Sequence, residues 1–238
     1  MVMLFALEYM TALGMTMQLL FLDSRRSRRR TVLTVYGTAA LVMTALALIY
    51  LAAGPDTVLR FYALIAHVPA LLFLLALSRF RGWRMVFQLF SSILFCTLVQ
   101  HASGLVYYLS GARFWALILA YAVFSAGVIL FLVRFLRPLF FRTLRELRQG
   151  WRLMCLVMAV YYVIIIYLIP GYVGFTLSST ILKPAVSLLM AGFYSVLIFL
   201  FTSVSKETEA RHNAQLAEVD DLVRFDVDDA RTFHWGGI

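Results

Sequence analysis

Acidic residues are scarce over most of this chain. Glu8, Asp23, Asp56 and Glu146 are the only ones before residue 205, and the other eight of its 12 lie beyond it. Cysteine is scarcer still. Cys96 and Cys155 fall in or beside apolar segments, pack there as small hydrophobes, and imply no disulfide framework. A metal site needs three or four convergent ligands. His67 and His101, the histidines of the apolar stretches, have no carboxylate or cysteine spaced to complete one. The metalloprotease pattern H-E-x-x-H is absent, and no nucleophile and base stand at a catalytic spacing. These absences argue against an enzyme and imply no metal or other cofactor. Nor does an internal repeat divide the chain into matching halves, which weighs against the inverted-repeat layout of many secondary transporters.

What the chain has in abundance is apolar sequence. Of its 238 residues 63% are hydrophobic and 14% charged, with a mean hydropathy of +0.88. A soluble domain of that length cannot hide so much apolar surface, and runs of about twenty apolar residues mark membrane spans. The net charge of +9 would suit a nucleic-acid binder. The basic residues sit in short loops between the runs, however, where anionic lipid headgroups and topology account for them, so no nucleic-acid partner is implied.

Taken in order, Met1–Leu22 is apolar except for Glu8 and is followed by Arg25, Arg26, Arg28, Arg29 and Arg30. A cleaved signal peptide carries its positive charge before the apolar region, so this is a first span with its N-terminus outside. Thr31–Ala52 returns outward and Gly54-Pro55-Asp56 makes a tight turn. Thr57–Ser78 leads in to Arg79, Arg81 and Arg84; Met85–Leu109 leads out to Ser110–Arg113; Phe114–Phe135 comes back in. Leu153–Ile169 goes out, Pro170–Ser179 is an external loop, and Ile181–Val204 comes in. The fold class is therefore all-α, a polytopic membrane helix bundle of about seven transmembrane helices, N-terminus outside and C-terminus cytoplasmic. Of 21 Lys and Arg, only Arg60, Arg113 and Lys183 then fall on the outer side. Such an asymmetry is hard to obtain with a wrong span count.

The longest polar interruption before the tail is Arg134–Arg152, RFLRPLFFRTLRELRQGWR. Pro138 suits the first turn of a new helix, and Phe140, Leu144, Leu147 and Trp151 recur at helical spacing. Two structures fit the pattern. One is a solvated connector; the other is an interfacial helix with its apolar face in the headgroups and Arg137, Arg142, Arg145, Arg148 and Arg152 on anionic lipid.

Polar groups inside a membrane are costly, so they are functional candidates by default. His67, Gln100 and His101, with nearby Tyr107 and Tyr108, are the candidate lining of an outward-facing pocket; the plainer alternative is interhelical hydrogen bonding. Glu8 faces either a polar interior or the outer headgroups. In the last span Ser187, Ala191 and Ser195 recur every four residues, a spacing that lets helices approach closely, either within the bundle or in a homodimer.

After Val204 the character changes. Lys206–Val219, KETEARHNAQLAEV, is a good helix former, and Leu216, Val219 and Val223 start a short heptad pattern. His212 is most simply an exposed helix histidine. From Asp220 the helical pattern fades. The expected organisation is a transmembrane bundle over 1–204, a cytoplasmic helix over 205–222 and a poorly ordered tail over 223–238.

The run from Leu136 to Val219 resembles the end of the membrane sensor region of GHKL-type sensor histidine kinases of Gram-positive bacteria, a group that includes the quorum-peptide receptors. The matching pieces are the basic loop RPLFFRTLRELRQGW, the aromatic-rich span LMCLVMAVYYVIIIYLIP, a short external loop, and a last span running into KETEARHNAQLAEV. The resemblance implies a multi-pass protein of the bacterial plasma membrane, a homodimer, and an external peptide or small-molecule ligand. It also implies that the last helix relays ligand state to a kinase domain of a two-component system. This sequence departs from the family after Val219. Residues around His212 do not match a phosphoacceptor box, and neither Asp-x-Gly-x-Gly nor an Asn-rich nucleotide-binding segment is present. No kinase activity is therefore expected of the chain as written, and its ending is expected to be a truncation, a shifted frame or a stand-alone sensor. The second function class is a transport or channel component, with His67, Gln100 and His101 along a path.

Overall fold

A computed structural model describes residues 2–147, 150–165 and 177–235, with the side chains of 63, 146, 177–180, 205, 208–209, 212–213 and 216–235 left aside. The described chain is helical, in the order α1 (Val2–Phe21), α2 (Arg28–Ala53), α3 (Pro55–Leu77), α4 (Trp83–Leu109), α5 (Phe114–Phe131), α6 (Arg137–Glu146), α7 (Trp151–Val163) and α8 (Leu177–Trp235). A π-helical turn, Leu132–Leu136, joins α5 to α6. Among the described residues six helices are long and apolar enough to cross a membrane: α1, α2, α3, α4, the continuous run Phe114–Arg145, and Ile181–Val204 of α8. These are the helices of a membrane protein. α7 is apolar but shorter, and the rest of its expected span, to Ile169, lies outside the described residues, as do Arg148 and most of the loop expected over Pro170–Ser179.

The span limits follow from local chemistry. Gly54, at φ +81°, takes the left-handed backbone that ends α2, and Pro55 opens α3 where its missing N–H costs nothing. Within the spans, Thr11, Thr16, Thr34, Thr38 and Thr44 each donate to the carbonyl four residues back, hiding a hydroxyl that lipid could not satisfy. The outward faces are strongly apolar, as with Leu41 at 73% and Leu51 at 78% exposed on α2, or Leu188, Leu189 and Phe199 on α8. A bilayer covers such a surface without penalty.

α4 is the central helix and touches α1, α3, α5, α7 and α8. Two cores meet on either side of α1. One joins α1 to the α2–α3 hairpin through Met15, Val35, Val42, Leu46, Phe73 and Leu77. The other joins α1, α4, α5, α6, α7 and α8 and is built on rings: Phe87 stacks on Phe140 and Tyr194 and meets Trp151 edge-on, while Phe21 meets Phe140 at 4.7 Å. Between helices in lipid it is packing rather than water exclusion that holds such a cluster together.

The stretch after Arg134 differs from both expectations. It is neither a solvated connector nor an interfacial helix with its apolar face in headgroups, because Phe140 and Leu144 are fully buried in protein. Pro138 explains the π turn. It has no N–H to donate, and its ring would collide with the Arg134 carbonyl in a regular helix, so the preceding turn widens and Arg137 N–H reaches back to the Leu132 carbonyl. The arginines stand outside this packing. Arg137 Nε donates to the Leu20 carbonyl at 3.1 Å and Arg145 lies 3.7 Å from Asp23, while Arg142 is half-buried and Arg152 exposed.

The three basic loops converge at one end of the bundle. Ser24 and Ser78 pair as an antiparallel bridge, with Arg25 N–H to Leu77 O at 2.9 Å and Arg79 N–H to Asp23 O at 2.8 Å. Arg84 donates to the Leu147 carbonyl at 2.9 Å. Beneath them Gln88, buried, accepts from the Ser78 hydroxyl at 2.8 Å and donates to the Phe21 carbonyl at 2.9 Å. α8 runs without interruption from Leu177 to Trp235, past Asp220, where the sequence pattern predicts the helix to fade.

Candidate ligand cavity and its link to the last helix

Among the described residues a cavity of about 540 Å³ lies between α1, α3, α4 and α7. Its mouth is at the end away from the basic loops, where Asp56 and Arg60 stand one turn apart on α3 and Gln100 faces them from α4. Arg60 and Gln100 are each 17 residues from the basic-loop ends of their helices, Leu77 and Trp83, and so stand at the same depth. The cavity extends inward to Ala70 on α3, Ser92 on α4 and Gln18 on α1. Met10, Met15, Tyr62, Ala66, Ile93 and Tyr162 make its walls largely apolar.

The polar groups differ in how they are satisfied. His67 Nδ1 shares a 2.8 Å hydrogen bond with the Tyr162 hydroxyl, tying α3 to α7, and its ring packs against Tyr62 and Tyr162. The hydroxyls of Thr11, Ser92 and Thr97 each donate to a carbonyl of their own helix. Gln18 is the exception. It is 4% exposed, and its Oε1 is buried with no partner among the described residues. An unmet buried acceptor is expensive, more so in a membrane.

A chain of hydrogen bonds leaves the cavity wall for α8. Thr97 Oγ1 shares a 2.9 Å bond with the Tyr161 hydroxyl, both of them lining the cavity. Tyr161 OH in turn pairs with Ser187 Oγ at 3.0 Å, and Ser187 Oγ with His101 Nδ1 at 2.7 Å. Lys183, largely buried, sits one turn before Ser187. The four linked side chains come from α4, α7 and α8.

Of the residues singled out by sequence, His67 and Gln100 line the cavity, and His101 joins it through Ser187 and Tyr161. Tyr107 and Tyr108 do not line it; Tyr107 packs against the ring-rich core. Ser187 and Ala191 face the bundle interior, buried, and Ser195 is half-buried with its hydroxyl bonded back to the Ala191 carbonyl. This face packs within the chain, and a homodimer seam through Ser187 and Ala191 would have no open surface to use. Glu8 is half-buried and outside the cavity. Sequence reasoning missed Gln18, Thr97, Tyr161 and Tyr162. Gln18 carried a usable signal, a lone amide in an apolar run. Among the described residues no three His, Cys, Asp or Glu side chains converge. Comparison with known proteins returns no match from any family model, curated protein or solved structure, so the resemblance to sensor histidine kinases stands on sequence layout alone.

Proposed function

We propose that this chain is the sensing region of a membrane receptor, in which occupation of the cavity is relayed by α8, as in the sensor histidine kinases it resembles. The observation that carries this reading is the hydrogen-bonded path Thr97–Tyr161–Ser187–His101, which joins the cavity wall to a helix that continues through Trp235. Pro184 lies inside α8 three residues before Ser187. It removes a backbone hydrogen bond there and makes that turn the natural place for a bend to change. A ligand that displaces Tyr161 would thus act on α8 at its weakest turn, and only a difference in affinity between the two arrangements shifts their populations.

By the distribution of Lys and Arg, the basic end is cytoplasmic and the cavity mouth external, with the N-terminus outside and the C-terminus inside. The setting is a bacterial plasma membrane with anionic lipid against the basic end, and the working unit a homodimer. The chain itself carries out no phosphoryl transfer; the kinase of such a receptor would follow α8. The transport or channel reading has less support. Gln88, Ser78 and the Phe21 carbonyl are bonded together between the cavity's inner end and the basic loops.

The test is to graft residues 1–219 in helical register onto a histidine-kinase core and measure autophosphorylation in membranes with and without culture extract. A ligand-dependent change, abolished by inserting two residues after Lys206, which turns the helix by about 200°, is the expected result. Phosphorylation indifferent to every extract and to the insertion, or solute flux through the ungrafted chain in vesicles, would overturn it.

A further inference from the structure

On the reading that this cavity is the receptor's ligand site, its walls differ in how firmly they are held. α3 and α7 both line it, yet among the described residues they share no apolar core. α3 packs with α1, α2 and, through Met85, Leu89 and Ile93, with α4; α7 packs in the ring-rich cluster. What joins the two walls is the 2.8 Å hydrogen bond between His67 Nδ1 and the Tyr162 hydroxyl, with the rings in contact. α3 is itself divided at Pro69. A proline inside a helix leaves the carbonyl four residues back, here that of Ile65, without its N–H and concentrates bending there. Past Pro69, towards the basic loops, Ala70, Phe73, Leu74 and Leu77 are buried and Ser78 is bonded to Gln88. From Pro55 to Val68, Val58 and Ala66 are the buried side chains among those described, and Gly54 at φ +81° precedes the stretch. That looser stretch carries Asp56, Leu59, Arg60, Tyr62, Ala66 and His67, all but one of the residues that α3 gives to the cavity. α8 repeats the arrangement: Pro184 lies three residues before Ser187, as Pro69 lies two after His67. Adjacent tyrosines of α7 hold both, Tyr162 the wall on α3 and Tyr161 the Ser187 hydroxyl on α8. Neighbouring residues of a helix point about 100° apart, so a single turn of α7 reaches both partners.

We infer that the stretch from Pro55 to Val68 is a moving wall of the cavity, hinged at Gly54 and Pro69 and latched to α7 by the His67–Tyr162 hydrogen bond, and that admission of the ligand releases the latch. With the latch made, α7 is tied on two sides, to α3 through Tyr162 and to α8 through Tyr161. With it released, the tie to α3 is lost while Tyr161 keeps Ser187, so α7 and the turn of α8 beside Pro184 shift together. The wall is the input and Ser187 the output. A single interhelical hydrogen bond in a membrane favours the closed wall only several-fold, so a ligand that binds the open arrangement better reverses the balance.

The chain carries its own reporters. Cys96 lines the cavity, whereas Cys155 is buried outside it and bonded to the Trp83 carbonyl. Each is left as the sole cysteine, by Cys155→Ala or Cys96→Ala, in the full chain in lipid nanodiscs. Its rate of reaction with a water-soluble cationic methanethiosulfonate is then measured. Tyr162→Phe and His67→Phe, which keep a ring and remove the hydrogen bond, should each speed the reaction of Cys96 about three- to tenfold, the range of one interhelical hydrogen bond. The rate at Cys155 should not change. Pro69→Ala restores the backbone bond to Ile65 and, added to Tyr162→Phe, should slow Cys96 again. A Cys96 rate indifferent to both latch variants would overturn the inference. So would rates that rise alike at the two cysteines, since the bond would then be holding the whole bundle. No ligand or kinase enters this measurement, so the receptor is judged separately. An extract response of the grafted kinase beside an unchanged Cys96 rate would remove the moving wall and leave the receptor standing. A faster Cys96 beside a kinase indifferent to every extract would keep the wall and remove the receptor.

Discussion

His101 on α4 and Ser187 on α8 are joined by a hydrogen bond of 2.7 Å, and Ser187 is completely buried. Ser187 also pairs with the Tyr161 hydroxyl, so one small side chain on α8 is held by two other helices at once. Interhelical hydrogen bonds in membranes contribute about 0.6 kcal/mol on average and up to about 1.7. Ser187→Ala should therefore lower the unfolding free energy in bicelles by about 1 kcal/mol, a modest loss. Its effect on the grafted kinase should be out of proportion, with ligand response gone and basal phosphorylation retained. A response equal to that of the unaltered chain would show that the coupling runs elsewhere.

The second prediction concerns Phe140, which is fully buried and packs against Phe21, Phe87 and Phe141. Phe140→Ala opens a cavity among rings from α1, α4 and α6 and should cost about 3–5 kcal/mol, the usual range for an aromatic deleted from a core. Arg145→Ala, which loses only a 3.7 Å contact with Asp23 from an exposed position, should cost about 0–1 kcal/mol. A helix lying in headgroups would give the opposite ranking, since its phenylalanine could sink back into lipid. Thermal unfolding of the two variants in the same bicelles decides the matter.

These two sites show how far the sequence could be read. The spans were legible because apolar run length is set by bilayer thickness, and the turn at Gly54-Pro55 because few residues accept that backbone. The stripe of Phe140 and Leu144 was legible as a stripe. Its partner was not, because one periodicity serves a headgroup face and a protein face equally, and it is α1, α4, α7 and α8 that cover it. His67 and Gln100 stood out as polar residues in apolar runs. Tyr107 and Tyr108 were drawn in by nearness along the chain to His101, yet six residues along a helix is about 9 Å, which carries them past the cavity. Tyr161 and Thr97 gave no signal, since tyrosine and threonine in an aromatic-rich span read as filler until a neighbouring helix supplies Ser187.

Gln88 supplies the third prediction. It joins Ser78, which ends α3, to the last carbonyl of α1, and both Gln88 and Ser78 are buried. Gln88→Leu leaves that hydroxyl and that carbonyl without their partner in an apolar setting, at a cost of about 1–3 kcal/mol. Gln88→Glu should be tolerated less well still, because a carboxylate buried there faces the Phe21 carbonyl with no hydrogen to offer. Hydrogen exchange should then rise at Arg25 and Arg79, whose N–H groups bond across the two loops. Unchanged exchange at both would mean the loops hold each other without help from Gln88.

The final prediction is the side of the membrane on which each loop lies. The loops carrying Arg25–Arg30, Arg79–Arg84 and Arg137–Arg145 are bonded to one another, through Ser24–Ser78, Arg84–Leu147 and Asp23–Arg145. They must therefore share a side, whichever it is, and the turns at Gly54-Pro55 and Gly111–Arg113 must share the other. Reporter fusions after Arg30, Arg84 and Lys206 should all report cytoplasm, and fusions after Pro55 and Arg113 the outside. Two failures would mean different things. A uniform inversion would leave the bundle intact and refute the orientation assigned from the arginines, whereas Arg30 and Arg84 on opposite sides would contradict the paired loops themselves. Replacing Arg25, Arg26, Arg28, Arg29 and Arg30 with glutamine separates the causes. If charge near the first span sets the orientation, that variant should yield a mixed topology, while the Ser24–Ser78 bridge should keep its two loops together in each population. Cysteines at Ser24 and Ser78, facing residues of an antiparallel bridge and so within about 4.5–5.5 Å at their Cα atoms, should form a disulfide in membranes under mild oxidation. The fraction crosslinked should be the same whichever way the bundle has inserted.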